Sequence, residues 1–357
     1  IDRFSSTVEG MHDAIVKPWF RFAGPAEPQM RAAYAVTTSR VYRSVRGIGS
    51  RAGRVSDSVR RESTVEPTRR SDAIQAFTNA IWGDELARRD SAMTISLAVR
   101  DQRGSAVELD AEALAKAFPA ASGRLVVLLH GLGQTERCFS ARDAVPGLTE
   151  ALALSSLTPV PVRYNSGRSV ADTGEELDVL LEQLIEHWPV RVTEIALVGY
   201  SMGGLVARAA TASGHANARR WVDAVRHVVT VAAPHSGSPI EKAVGVAERS
   251  LMLAPQTRPL GAFLAQRSAG IRDLRSGTDL PGAFDGIKHH LIGAVITSDA
   301  AHPVGSLVGD LIVRPVSATG PRVAAHNRHL IGGRRHFDIL HEPTVAARIL
   351  DWIEPES

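Results

Sequence analysis

A single cysteine, Cys138, stands in the whole chain, so no disulfide can form within it and a zinc site of the cysteine type is excluded. That usage fits a reducing compartment, and a cytoplasmic location is the expectation, with association to a membrane surface as a second reading. The chain opens at Ile1, which leaves a signal removed upstream open. No run of about 18 apolar residues occurs, and none of the sequence predicts a transmembrane helix. Charge of one sign is also scarce: the net value of +3 is too small to imply nucleic acid by itself. Aromatic residues make up only 5% of the chain, and they do not interleave with the basic residues as a nucleic-acid module requires. Internal repeats and low-complexity tracts are missing too.

The small charge is unevenly spread. Residues 1–95 hold 15 Lys/Arg and 11 Asp/Glu, a balance of +4, and the remainder hold 26 and 27, a balance of −1. Within that first part Met30, Tyr34, Thr37, Val41, Val45, Ile48, Val55 and Val59 recur at helical steps, with arginines on the other faces. The spacing predicts a basic amphipathic helix, weakened at Gly47, Gly49 and Gly53, in an N-terminal helical extension over residues 1–91. Three uses fit it: packing on the rest of the chain, lying on an anionic membrane, or self-association. "VEPTRRSD" reads as a linker.

From residue 92 the rhythm changes. "AMTISLAVR" and "AVELD" around "DQRG" predict a hairpin. Apolar runs of strand length then alternate with helical patterns: 124–130, 159–164, 194–200, 225–233 and 289–296. Continuous apolar strands between helices indicate a mostly parallel central sheet covered on both faces, an α/β fold. In "DTGEELDVLLEQLIEHW", Thr173 and Glu176 stand at capping-box spacing, ahead of a stripe from Leu177 to Trp188. "HEPTVAARILDWI" predicts a last helix opening at Pro343.

The stretch "LVGYSMGGLVARAA" (197–210) carries the chemistry. Gly199-Tyr200-Ser201-Met202-Gly203 matches G-x-S-x-G between a strand and a helix, the context of a nucleophile elbow. A glycine-rich phosphate loop is the rival reading, but neither G-x-x-x-x-G-K-[ST] nor G-x-G-x-x-G is present there. A serine needs a histidine base and an acid to hold it, in the chain order Ser, Asp or Glu, His. His336 falls between the last strand and last helix and is chosen over His341, which reads as a cap. Asp310 in "GSLVGDLIVRPVSA" is the chosen acid; Asp299 is the alternative, and Asp338 lies too near His336. For the oxyanion, the turn in "LLHGLGQTERCF" offers the backbone N–H of Leu132, and Met202 supplies the second. His130 reads as a structural support of that loop. His289 and His290 alternate along one strand and face opposite ways, so no metal is expected.

Together "LLHGLG", "RYNSGRS", "LVGYSMGGLVARAA", "VAAPHSGSP", "RSAGIRDLRSG", "GDLIVRPVSA" and "HFDILHEPTVAARILDWI" resemble bacterial serine esterases and lipases of the α/β-hydrolase superfamily. The branch is similar to the inositol deacylases of GPI anchors. The resemblance covers about residue 95 to the C-terminus. It implies an α/β-hydrolase catalytic domain over 92–357, Ser201, Asp310 and His336 as a triad, and ester hydrolysis through an acyl-enzyme. Such enzymes commonly have histidine at position 200; Tyr200 is expected to point away from the chemistry. Acyl transfer or thioester cleavage on the same triad, and a non-catalytic binding scaffold, are the rival functions. Residues 236–285 read either as a cap insertion over the serine or as added scaffold. The expected partner is a small-molecule or lipid ester, with peripheral membrane contact through the basic helix, no nucleic acid and no cofactor.

Overall fold

The computed structural model describes residues 69–142, 145–237, 268–276, 280–320 and 323–354. The basic amphipathic helix expected over residues 28–62 and most of the expected cap at 236–285 lie outside them. Seven strands form one sheet: β1 (Ala98–Val99), β2 (Arg124–Leu129), β3 (Thr158–Arg163), β4 (Glu194–Tyr200), β5 (Val225–Val231), β6 (Lys288–Ala294) and β7 (Asn327–Ile331). Their order is β1-β3-β2-β4-β5-β6-β7, with β1 antiparallel to β3 and every other pair parallel. The expected hairpin is reduced to a bridge between Arg100 and Ala106, because β1 takes β3 as its partner.

The described helices are α1 (Arg69–Arg88), α2 (Ala111–Ala117), α3 (Leu148–Ala153), α4 (Val170–His187), α5 (Met202–Ala216), α6 (Arg220–Asp223), α7 (Ala269–Ser276), α8 (Pro303–Val308), α9 (Pro315–Ala318) and α10 (Pro343–Ile353). Side-chain alternation along the strands feeds two cores. Leu125, Val127 and Leu129 of β2 and Ile195 and Leu197 of β4 face Leu177, Leu181, Leu184, Leu205 and Val206 from α4 and α5. Val126, Leu128, Ala196, Val198 and Tyr200 face the other way, onto Phe139, Leu152, Ile339, Ile349 and Ile353. Burial on both faces is why these strands read as unbroken apolar runs.

The capping box expected at Thr173 is corrected. Helix α4 starts at Val170, where Ser169 caps it by accepting the Asp172 N–H at 3.0 Å, and the Thr173 hydroxyl bonds back to the Ser169 carbonyl inside the helix. Ser169 reaches the exposed amides first, so the helix nucleates one turn earlier.

The described residues group as one unit. The change of rhythm at residue 92 is thus preceded by a helix that already belongs to the sheet unit. Asn79 of α1 accepts the Ile95 N–H at 3.0 Å and donates to the Met93 carbonyl at 2.8 Å. Asn165, in the loop after β3, donates to the Gly83 carbonyl at 2.9 Å. Arg163 forks on Glu136 at 2.7 Å through two nitrogens and holds Asp72 of α1 at 3.0 Å, all three buried. Such a cluster is held by mutual pairing, since each charge alone is costly to bury. No helix among the described residues is long and apolar enough to cross a membrane.

Candidate active site

Strand order reverses at β2: β3 lies on one side of it and β4 on the other. Crevices outside the carboxyl ends of strands at such a reversal are where α/β sheets bind ligands. The turn after β2 and the turn after β4 therefore stand side by side. The ideal Cβ position on Gly131 falls 3.2 Å from Ser201 Cβ, which measures how closely they meet.

Ser201 follows β4 directly and precedes α5, with φ +53° and ψ −119°. That is a left-handed backbone on a side chain that seldom adopts it, at a cost of about 1–3 kcal/mol met by the surrounding fold. Its amide donates to the Val231 carbonyl at 2.8 Å, fixing the turn against β5. The glycines around it are a matter of space. A Cβ on Gly199 would sit 2.3 Å from the Gly203 carbonyl, and one on Gly203 would sit 2.1 Å from the Leu129 carbonyl oxygen.

The serine hydroxyl lies 3.0 Å from His336 Nε2, and His336 Nδ1 lies 2.7 Å from Asp310 Oδ2. A neutral ring with its proton on Nδ1 donates to the carboxylate and leaves Nε2 to accept from the hydroxyl. All three are buried, with Ser201 the most open at 7%. Asp310 is oriented by its own loop: Oδ1 accepts the Ile312 and Val313 amides at 2.9 and 2.7 Å. That loop turns through Gly309 and Leu311, both at positive φ. The His336 amide returns to the Asp310 carbonyl at 3.0 Å, so backbone and ring are both registered to the same residue. Asp299 is elsewhere in role: its Oδ1 accepts the Ala301 amide at 2.9 Å, as a turn residue does.

The loop after β2 is held by His130. Its Nδ1 donates to the Gly131 carbonyl at 2.9 Å, its Nε2 accepts the Tyr164 amide at 3.2 Å, and its ring stacks on Tyr164. Leu132 then lies in a turn closed by the Gln134 amide on the Gly131 carbonyl, with Gly133 at φ +68°. The Gly133 amide donates to Ser166 Oγ at 3.0 Å. Met202 opens α5, and its N–H belongs to the first turn, where a helix has no internal acceptor to offer.

The strand order, antiparallel only at β1, with a serine at the sharp turn between β4 and α5, is the topology of an α/β-hydrolase fold. Residues 164–249 match the family model described as PGAP1-like alpha/beta domain, a span that includes Ser201 but neither Asp310 nor His336. Similar solved structures include the mature form of lipase BlEst2 from Bacillus licheniformis, at 16% identity and TM-score 0.46 over 65% of this chain and 92% of that one. A lipase-esterase related protein from Clostridium acetobutylicum aligns at 16% identity and TM-score 0.42 over 64% and 94%. The RedJ thioesterase of the prodiginine pathway in Streptomyces coelicolor aligns at 20% identity and TM-score 0.41 over 66% and 86%. No curated protein sequence matches.

One expectation holds only in part. Tyr200 does face away from the Ser201 hydroxyl, but it is tied to the site: its hydroxyl donates to the His336 carbonyl at 2.7 Å, and the two rings lie 5.2 Å apart. Side chains alternate along β4, so Tyr200 faces the sheet side opposite to Gly199 and Ser201, and the His336 loop packs on that same side. A phenol buried in an apolar strand must find an acceptor, and the His336 carbonyl supplies it.

Burial makes several other rings poor bases, His289 and His329 among them. Loss of solvent holds His130 and His227 down to about 4, and His235 and His290 down to about 3. The unfolded chain binds these protons near pH 6.5 and the folded chain does not, so stability is complete above 6.5 and falls as pH drops toward 4. For His130 alone the loss is on the order of 3 kcal/mol over that span. Urea midpoints are expected to be level from pH 8 to 7 and to fall steadily from 6.5 to 5. Midpoints that stay level to pH 5 contradict the neutral, buried assignment.

Proposed function

We propose that the protein is a serine carboxylester hydrolase acting through an acyl-enzyme on an ester of a hydrophobic acyl group. One arrangement supports this reading: an elbow serine 3.0 Å from one ring nitrogen, with a buried carboxylate 2.7 Å from the other. In this reading Ser201 Oγ attacks the acyl carbon while His336 Nε2 takes its proton, and Asp310 keeps the ring oriented and favours the charged ring that forms. The Leu132 and Met202 amides are assigned to the carbonyl oxygen as it gains charge. Each such donor is worth about 3 kcal/mol of barrier. The alcohol leaves with the proton from His336, and water then attacks the acyl-serine by the same steps in reverse.

The test is a panel of p-nitrophenyl esters from acetyl to palmitoyl, together with labelling by a fluorophosphonate. Hydrolysis with a chain-length optimum and labelling at one site per chain are expected. A panel without turnover and a chain without label would remove the proposal. Product analysis with added alcohol separates hydrolysis from transfer of the acyl group to that alcohol.

A further inference from the structure

Beside β3, at the edge of the sheet, lies a cavity of about 450 Å³ that the reaction above does not use. Its size falls within the range of small-molecule sites. Phe118, Leu157, Pro159 and Pro161 give it apolar walls, and Arg100 and Arg137 also line it. The acids near these arginines are already engaged. Glu136 gives both oxygens to Arg163, and Asp72 Oδ2 is shared by Arg163 and Arg137. Asp101 Oδ1 accepts the amides of Arg103 and Ser105. Arg100 is left over: its Nε is buried and meets no acceptor among the described residues. Burial and the nearby Arg163 both push its guanidinium below the ordinary value. An arginine cannot shed its charge to relieve this, and a buried donor without an acceptor is costly.

We propose that this cavity binds a small amphiphilic monocarboxylate, its carboxylate forked on Arg100 and its apolar chain against Phe118, Leu157, Pro159 and Pro161. A guanidinium matches a carboxylate through two parallel bonds, here from its terminal nitrogens, since Nε has no surface open to the cavity. Asp101, Glu136 and Glu150 on the same lining oppose a dianion such as phosphate. The inference is independent of the reaction proposed for Ser201.

The full chain is titrated calorimetrically with sodium decanoate below its micelle concentration, and separately with decanol and with inorganic phosphate. Decanoate is expected to bind, and Arg100→Met to weaken that binding at least tenfold; phosphate gives no heat, and decanol binds at least tenfold more weakly. Decanoate lodged near Ser201 is untouched by the substitution, so only the heat that Arg100→Met removes counts for this cavity. Thermal melting checks that the variant is folded. Ala117→Phe, which narrows the lining with every arginine kept, is expected to lower decanoate affinity as well. The proposal is overturned if the wild type does not bind decanoate, if decanol binds as tightly, or if the folded variants bind it as the wild type does.

Discussion

Ser201→Ala is expected to abolish ester turnover almost entirely, lowering kcat by a factor on the order of 10⁶, while leaving the fold intact. The argument is local. The hydroxyl is the only group of the relay that touches the acyl carbon in the proposed reaction, and His336 and Asp310 have nothing to activate without it. Its removal leaves the 2.7 Å bond between His336 and Asp310 in place. It also leaves the positive φ at position 201, which alanine tolerates no worse than serine. Stability should therefore shift by less than about 1 kcal/mol, as a thermal melt will show. In the proposed reaction the three residues act as a unit, so adding His336→Ala to Ser201→Ala should cost little more than the first substitution alone. A variant that keeps a tenth of the activity, or still takes the fluorophosphonate label, places the nucleophile elsewhere.

Gly203→Ala is expected to do the opposite, striking the fold before the chemistry. The added Cβ would lie 2.1 Å from the Leu129 carbonyl oxygen, 2.6 Å from its carbon and 2.7 Å from the His130 carbonyl oxygen. All three are backbone atoms of β2 and the turn that follows it, so no side chain can swing aside. Overpacking costs about 1–3 kcal/mol where neighbours can yield. Here they cannot, and a loss of at least about 4 kcal/mol is expected, a large share of the 5–15 kcal/mol that holds an ordinary domain. The control is Gly286→Ala. Gly286 has φ +76° and nothing within 4 Å of the added carbon, so that change should cost only the backbone term of about 1–2 kcal/mol. Urea midpoints for the two variants measure the difference. Equal costs would show that β2 and the elbow are not packed as described.

What could be read from the sequence divides by distance along the chain. The elbow is local, a strand, a tight turn and a helix within one short stretch, and its glycines announce the close approach of backbones. The strands were legible because burial on both faces leaves an apolar run. Asp310 and His336 required the order of the fold as a guide, and their selection followed from where the last strands and helices fall. The tie from Tyr200 was missed because it depends on which side of the sheet a loop 136 residues later comes to rest. Helix α1 was assigned to the extension for a similar reason. Its ties run through Asn79 to Ile95, Asp72 to Arg163 and Gly83 to Asn165, none of which leaves a periodic trace. Ser169 is a lone cap without a partner at box spacing, so the pattern at Thr173 and Glu176 outweighs it in the sequence.

The bond from the Tyr200 phenol to the His336 carbonyl has a mechanical meaning. Tyr200 and Ser201 are neighbours on one strand end, so the segment bearing the imidazole is fastened to the same anchor as the alcohol it must reach. Ring and alcohol are thereby positioned from a single point of the sheet.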